Sequence, residues 1–234
     1  MIIIGDVHGC YNTLRALMKK LPREPVCFVG DLIDRGPRSN EVVAFVRGEG
    51  YASCRGNHEE TMSKFFNKRD MHWVHEGMGG KATLRSYGYF DLKAERGREA
   101  AIETVHADPG IQWLKALPVF LEYPDVVDDQ GRHLFVSHST AARVWHYREK
   151  LERDEVYRDT FETELMWGRP KGVEEIRGVY NVFGHTPVYN PVVRDHYANV
   201  DTGCFYGPMP KGGYGILTAL RFPQMEVFTQ EYCD

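Results

Sequence analysis

The 234-residue chain contains no apolar run approaching the roughly 20 residues that a bilayer-spanning helix needs. A membrane anchor of that kind is excluded. It has no Cys-x-x-Cys pair: Cys10, Cys27, Cys54, Cys204 and Cys233 are scattered and odd in number, which argues against a disulfide framework and for reduced thiols. It has no long block of either charge. The 33 acidic and 29 basic residues are mixed along the chain and leave a net charge of -4, so neither nucleic acid nor a membrane surface is an expected partner. Internal repeats and low-complexity tracts are absent too. Met1 runs directly into Ile2-Ile3-Ile4 and Gly5-Asp6, leaving no room for a cleavable signal. The expectation is a cytoplasmic, monomeric, soluble protein.

With 42% hydrophobic and 12% aromatic residues the chain closes a sizeable core, and a single domain over residues 1–234 is expected. Its first 60 residues repeat one pattern, a short apolar run, a polar Gly-containing cluster and a helical stretch, which is βαβ grammar. Ile2 to Ile4, Val26 to Val29 and Tyr51 to Arg55 read as strands. Helical spacing follows in Tyr11, Leu14, Leu17, Met18 and Leu21, then in Val42, Val43, Phe45 and Val46, with a third helix beginning near Glu59. From about 71 to 117 the pattern turns helical and charged, punctuated by Gly77, Gly79, Gly80 and Gly97 and stopped by Pro118, and reads as a helical insertion. Strands return at Val119 to Tyr123, Leu134 to Ser137, Val179 to Phe183, Ala198 to Val200 and Tyr214 to Leu220, with a helix within Asp154 to Leu165. The expected class is α/β, two mixed sheets packed as a sandwich flanked by helices, the second sheet more antiparallel than the first.

The polar clusters fall at strand ends, where open α/β sheets bind ligands. Asp6 and His8 stand two apart after the first strand, so extended geometry would turn both to one side. Gly30-Asp31-Leu32-Ile33-Asp34-Arg35-Gly36 follows the second strand and Gly56-Asn57-His58-Glu59 the third. Carboxylate, amide and imidazole donors without thiolates suit Mn, Fe or Zn rather than a structural zinc site. His138, after Phe135-Val136-Ser137, and His185, in Gly184-His185-Thr186-Pro187, each follow an apolar run directly and join the candidates. Arg55 is an equal choice between a site contact and a salt bridge.

The order Gly-Asp-Val-His-Gly, Gly-Asp-Leu-Ile-Asp-Arg-Gly, Arg-Gly-Asn-His-Glu, a histidine after a strand and Phe-Gly-His-Thr-Pro resembles the phosphoprotein phosphatase family of metallophosphoesterases, especially its compact bacterial and bacteriophage members. His72-Trp73, Gly79-Gly80, Trp167-Gly168-Arg169 and Val200-Asp201-Thr202-Gly203 extend the resemblance over nearly the whole chain. It implies the calcineurin-like fold and two divalent ions, Mn before Fe or Zn. Asp6 and His8 would hold the first ion, Asp31 would bridge, and Asn57, His138 and His185 would hold the second. His58 would be the general acid, oriented by Asp34, and Arg35 and Arg169 the phosphate clamps.

Two ions about 3.5–4 Å apart lower the pKa of a shared water from about 15.7 toward about 7, giving hydroxide for direct attack on phosphorus. That shift is worth on the order of 12 kcal/mol. The resemblance therefore implies a serine/threonine protein phosphatase, with phosphotyrosine as a further substrate, acting on phosphoproteins, phosphopeptides or small phosphate monoesters. The alternative is a dinucleoside polyphosphate hydrolase such as a diadenosine tetraphosphatase. Those relatives often carry Ala where this chain has Asp34, which favours the monoesterase. A diesterase is disfavoured because Pro187 stands where its second histidine belongs. From another class, a binding module that has lost its metal would keep only the fold.

Overall fold

The computed structural model describes residues 1–75, 77–89, 98–169, 171–207 and 213–234. Gly97, parts of the expected 71–117 insertion and parts of the loop after Asp201 lie outside them. In chain order the elements are β1 (Ile2–Ile4), α1 (Tyr11–Met18), β2 (Val26–Phe28), α2 (Ser39–Gly48), β3 (Ala52–Ser53) and α3 (Asn57–Lys68). A 3-10 turn at Met71–Val74 leads to α4 (Gly80–Ser86), α5 (Arg98–His106) and α6 (Pro109–Lys115). The remainder is β4 (Phe120–Val127), β5 (His133–Ser137), α7 (Glu155–Trp167), β6 (Val179–Phe183), β7 (Val192–Val193), β8 (Tyr197–Asn199), β9 (Ile216–Arg221) and β10 (Glu226–Glu231).

Two mixed sheets result, in the orders β10-β9-β1-β2-β3 and β4-β5-β6-β8-β7. In the first, β1, β2 and β3 run parallel while β9 and β10 are antiparallel. In the second, β5, β6 and β8 run parallel between antiparallel β4 and β7. Both sheets are mixed, as expected, but the second is no more antiparallel than the first, each having two parallel and two antiparallel pairings, and β9 and β10 leave the second half of the chain to complete the first sheet.

Strand alternation divides the core. Ile3, Cys27 and Val29 face the second sheet and pack with Val136, Tyr180, Val182, Leu220 and Phe222. Their neighbours Ile2, Ile4, Val26 and Phe28 turn the other way, onto Leu14, Leu17, Val42, Val46 and Phe65. Both faces of β1 and β2 are therefore covered, which is why these strands read as unbroken apolar runs. On the far side of the second sheet Phe135 and Val179 pack under Phe161 and Leu165 of α7. Each such side chain contributes about 1.5–3 kcal/mol by burial. The sandwich fixes the ends of β1, β2, β5 and β6 beside one another, and the polar clusters leave from there.

Candidate active site

The chain does not stay extended beyond these strands. His8 has φ 47°, Asp31 50°, Asp34 75°, Arg35 65° and His185 70°, all in the left-handed region that non-glycine residues rarely adopt. Asp6 and His8 therefore converge through a turn, not through the strand alternation expected from their spacing. Each such residue stores about 1–3 kcal/mol of strain, a cost that clusters at functional sites. Two glycines let the loops close. A Cβ on Gly184 would lie 2.1 Å from Asp6 Oδ1, and one on Gly56 2.1 Å from Asp31 Oδ1.

Asp6, His8, Asp31, Asn57, His58, His138 and His185 meet in one buried place. Asp31 is its centre, with Oδ2 lying 3.5 Å from His8 Nε2, 3.3 Å from His138 Nε2 and 3.8 Å from His58 Nε2. Asn57 Oδ1 is 2.9 Å from His138 Nε2 and 3.0 Å from His185 Nδ1. The ligand atoms of Asp6, Asp31 and His138 lie within 4.8 Å of one another, as do those of His8, Asp31 and His58. Helix α3 starts at Asn57, two residues earlier than expected, so Asn57 and His58 occupy its first turn.

The imidazoles are held from behind. His8 Nδ1 lies 2.9 Å from the Ile33 carbonyl and His138 Nδ1 3.0 Å from that of Val29. A carbonyl only accepts, so both Nδ1 atoms donate and both Nε2 atoms are turned inward, the arrangement that orients histidine ligands. His58 Nδ1 donates to Asp34 Oδ2 at 2.7 Å. Asp34 also accepts from Trp73 Nε1 at 2.9 Å and Thr83 Oγ1 at 2.6 Å, so the insertion is tied to this pair.

Electrostatically the site is unbalanced. Burial, then the Asp201 carboxylate, pushes Asp6 well above the usual carboxylate range. Burial also raises Asp31, but His138 and His58 outweigh it and hold Asp31 well down. Burial opposes protonation of His138, yet Asp31 and Asp6 raise it to about 10. Burial and then His138 lower His185 to about 3, and burial and then Arg35 lower His8 well below its ordinary value. His185 Nε2 is buried without a hydrogen-bond partner. An orphaned imidazole nitrogen beside crowded carboxylates and an amide oxygen is a donor set that fits divalent cations of the Mn, Fe and Zn kind.

The arginines divide. Arg35 Nη1 is 2.9 Å from His8 Nε2, at the rim of the centre. Arg169 is exposed and donates to Thr186 Oγ1 at 3.3 Å, next to His185. Arg55 points elsewhere: it donates to Glu60 and to the Lys115 carbonyl, joining β3 to the end of α6.

Two carboxylates had no role from sequence. Glu59 is fully buried and accepts backbone N–H bonds from Asp31 and Gly56 at 2.9 Å, Leu32 at 2.9 Å and Ile33 at 3.4 Å. It splints the loop that carries Asp31 and Asp34. Burial, then Asp31, raises it to about 7. Its position three residues after Gly56, where a first-turn glutamate reaches back to the chain, was the available signal. Asp201, raised by burial to about 6, accepts from the Gly203 N–H at 2.9 Å and adds its charge beside Asp6.

A family model for calcineurin-like phosphoesterases matches residues 1–197. The chain belongs to this family. It is a metallophosphoesterase, a hydrolase of a family built around divalent metals. The bis(5'-nucleosyl)-tetraphosphatase PrpE [asymmetrical] of Geobacillus sp. (strain WCH70) is 30% identical over 249 residues, covering 97% of this chain and 92% of that protein. The protein of the same name from Anoxybacillus flavithermus (strain DSM 21510 / WK1) is 30% identical over 246 residues, covering 96% and 91%. A solved candidate diadenosine tetraphosphatase superposes with TM-score 0.61 at 20% identity, covering 100% of this chain and 93% of that one. A protein serine/threonine phosphatase from Saccharomyces cerevisiae superposes with TM-score 0.57 at 15% identity, covering 100% and 80%. At these identities the superpositions show the fold alone. The full-length relatives overturn the serine/threonine phosphatase reading, because the curated enzymes that this metallophosphoesterase matches end to end carry the dinucleotide activity. No helix among the described residues is long and apolar enough to cross a membrane.

Proposed function

We propose that this metallophosphoesterase hydrolyses bis(5'-nucleosyl) tetraphosphates asymmetrically, into a nucleoside monophosphate and a nucleoside triphosphate. The observation that carries the reading is the 30% identity to tetraphosphatases of that specificity over 97% of the chain. Asp6 and His8 would hold one divalent ion, Asp31 would bridge, and Asn57, His138 and His185 would hold the other, with Mn the first choice. When bound, the pair would act as Lewis acid toward phosphoryl oxygens and lower the pKa of water.

The chain's own groups supply the rest. Val29 and Ile33 carbonyls keep two imidazoles facing inward, and Glu59 keeps the Asp31 loop in its strained shape. Arg35 stands in the loop after β2 and Arg169 just past the end of α7, and their planar guanidinium groups match phosphate oxygens in pairs. His58, held by Asp34, presents Nε2 toward Asp31 and would carry the proton for the leaving oxygen. The buried surroundings of His58, Asp34 and Asp31 strengthen the interactions among them.

The test is product analysis by anion-exchange chromatography after incubation with diadenosine tetraphosphate and Mn. Equimolar mono- and triphosphate are expected. Two diphosphates, or no cleavage alongside rapid release of phosphate from phosphopeptides, would refute the assignment. Asn57→Ala should lose bound metal by elemental analysis, and retention of the full complement would remove Asn57 from the ligand set.

A further inference from the structure

On the Arg35 side of the centre the surface sinks into a cavity of about 440 Å³ between the insertion and the loop after Asp201. That volume lies within the range of small-molecule sites, about 300–1,000 Å³. Its titratable lining is Arg35, His75, Lys81 and Arg85, beside Phe205 and Tyr206. Among the described residues no carboxylate lines it, although the whole chain is acidic at -4. Lys81 and Arg85 are four apart on α4, so they share one face and repel each other. Neither is held by an ion pair among the described residues.

The wall is closely packed where it meets the centre. A Cβ on Gly79 would lie 2.7 Å from the Arg35 backbone nitrogen, and one on Gly80 2.5 Å from the Trp73 carbonyl. The other flank differs. Arg169 and Lys171 border a cavity of about 290 Å³ lined also by Phe183, Val188, Val192 and Tyr197, and a broader hollow of about 790 Å³ that adds Arg143, which is paired with Glu164, and the carboxylate of Glu174. The Arg35 flank thus gathers three cations with no carboxylate among the described residues, whereas the other gathers Arg169 and Lys171 with Glu174 beside them over a largely apolar floor.

We propose that the Arg35 cavity receives the triphosphate portion of the substrate, Lys81 and Arg85 binding phosphates beyond the scissile one and Tyr206 or Phe205 facing the base. The proposal rests on the asymmetric tetraphosphatase reading, in which an unequal split leaves three phosphates on one side and one on the other. The more highly charged portion belongs where unpaired cations converge. Guanidinium and ammonium groups bind phosphate through charge-assisted bonds, and aromatic faces stack on any base.

Titration calorimetry on the Mn-loaded protein tests it, with adenosine triphosphate and adenosine monophosphate as probes against wild type and Lys81→Ala/Arg85→Ala. The double variant should bind the triphosphate at least tenfold more weakly and the monophosphate within twofold of wild type. Its KM for diadenosine tetraphosphate should rise by a similar factor with kcat little changed. Thermal melting confirms that the variant folds. Triphosphate affinity unchanged within twofold, or equal losses for both nucleotides, would overturn the proposal. Wild type that leaves diadenosine tetraphosphate intact refutes the functional reading separately, and selective loss of triphosphate binding would still support the cavity.

Discussion

Replacing Glu59 by Gln isolates one buried carboxylate that touches no substrate. Its Oε1 accepts from Leu32 and Ile33, and its Oε2 from Asp31 and Gly56. Glutamine keeps the shape but turns one oxygen into an NH2 group. Whichever way the amide is placed, two backbone N–H groups face a donor and lose their acceptor. Each buried unsatisfied donor costs about 1–3 kcal/mol, so the variant should be destabilised by about 2–6 kcal/mol. A domain of this size loses about 2–4 °C of Tm per kcal/mol, which sets the minimum drop at about 4 °C. The measurement is thermal unfolding at pH 8, above the value of about 7 to which burial raises Glu59, in excess chelator so that metal binding does not mask the change. A drop of less than about 2 °C would refute the splinting role, since it would mean that the loop carrying Asp31 stands without two of those four bonds.

Two further outcomes follow from burial and charge. Cys10, Cys27, Cys54 and Cys204 are buried and Cys233 is exposed, and burial pushes Cys27 up to about 12. A native thiol titration with a disulfide reagent should therefore count one thiol promptly and five in denaturant. Prompt reaction of two or more would show that the core opens around these strands. On the second sheet Glu122 accepts from Arg148 at 2.6 Å and His133 at 2.9 Å. Burial raises Glu122, but these bonds outweigh it and lower its pKa. A carboxyl lowered in the folded state contributes stability above its unfolded pKa of about 4.3 and loses it as pH falls through the folded value. The Tm gap between wild type and Glu122→Gln should be constant at neutral pH and shrink below about pH 4.3; a gap that widens in acid would contradict the pairing.

Legibility followed the locality of the interactions. β1, β2 and β6 were readable because they are covered on both faces and so are apolar throughout except at Asn181 of β6, and each ends in a turn of glycine and donors. β10 was not read, since Glu226–Glu231 is an edge strand in which only Val227 and Phe228 are apolar and no alternation marks it, and only pairing with β9 makes it a strand. The same pairing brings β9 antiparallel to β1 across more than 200 residues, which no local pattern encodes. The candidate site residues were found by type and spacing, while the reason given for Asp6 and His8 failed at the left-handed φ of His8. Glu59 was overlooked because three of its four partners, Asp31, Leu32 and Ile33, are backbone groups of another loop, and only its place three residues after Gly56 pointed to it.

Asp34 explains why the substrate class was misread. Dinucleotide-cleaving relatives often carry Ala at that place, and on that ground Asp34 favoured the monoesterase; a proton donor held by a carboxylate matters more to an alkoxide leaving group than to a phosphate. A phosphate with a second pKa near about 6 departs at neutral pH with little help. Yet Asp34 also accepts from Trp73 and Thr83, and its own N–H donates to Ser39 Oγ at 3.1 Å and Thr83 Oγ1 at 2.9 Å. Loss of this carboxylate would strand the buried Trp73 N–H and loosen the insertion that carries α4. The residue is therefore required by packing whatever leaves, and it does not discriminate between esters and anhydrides. Discrimination falls instead to the cations that neutralise a departing polyphosphate, and in this chain those project from the same insertion that Asp34 anchors.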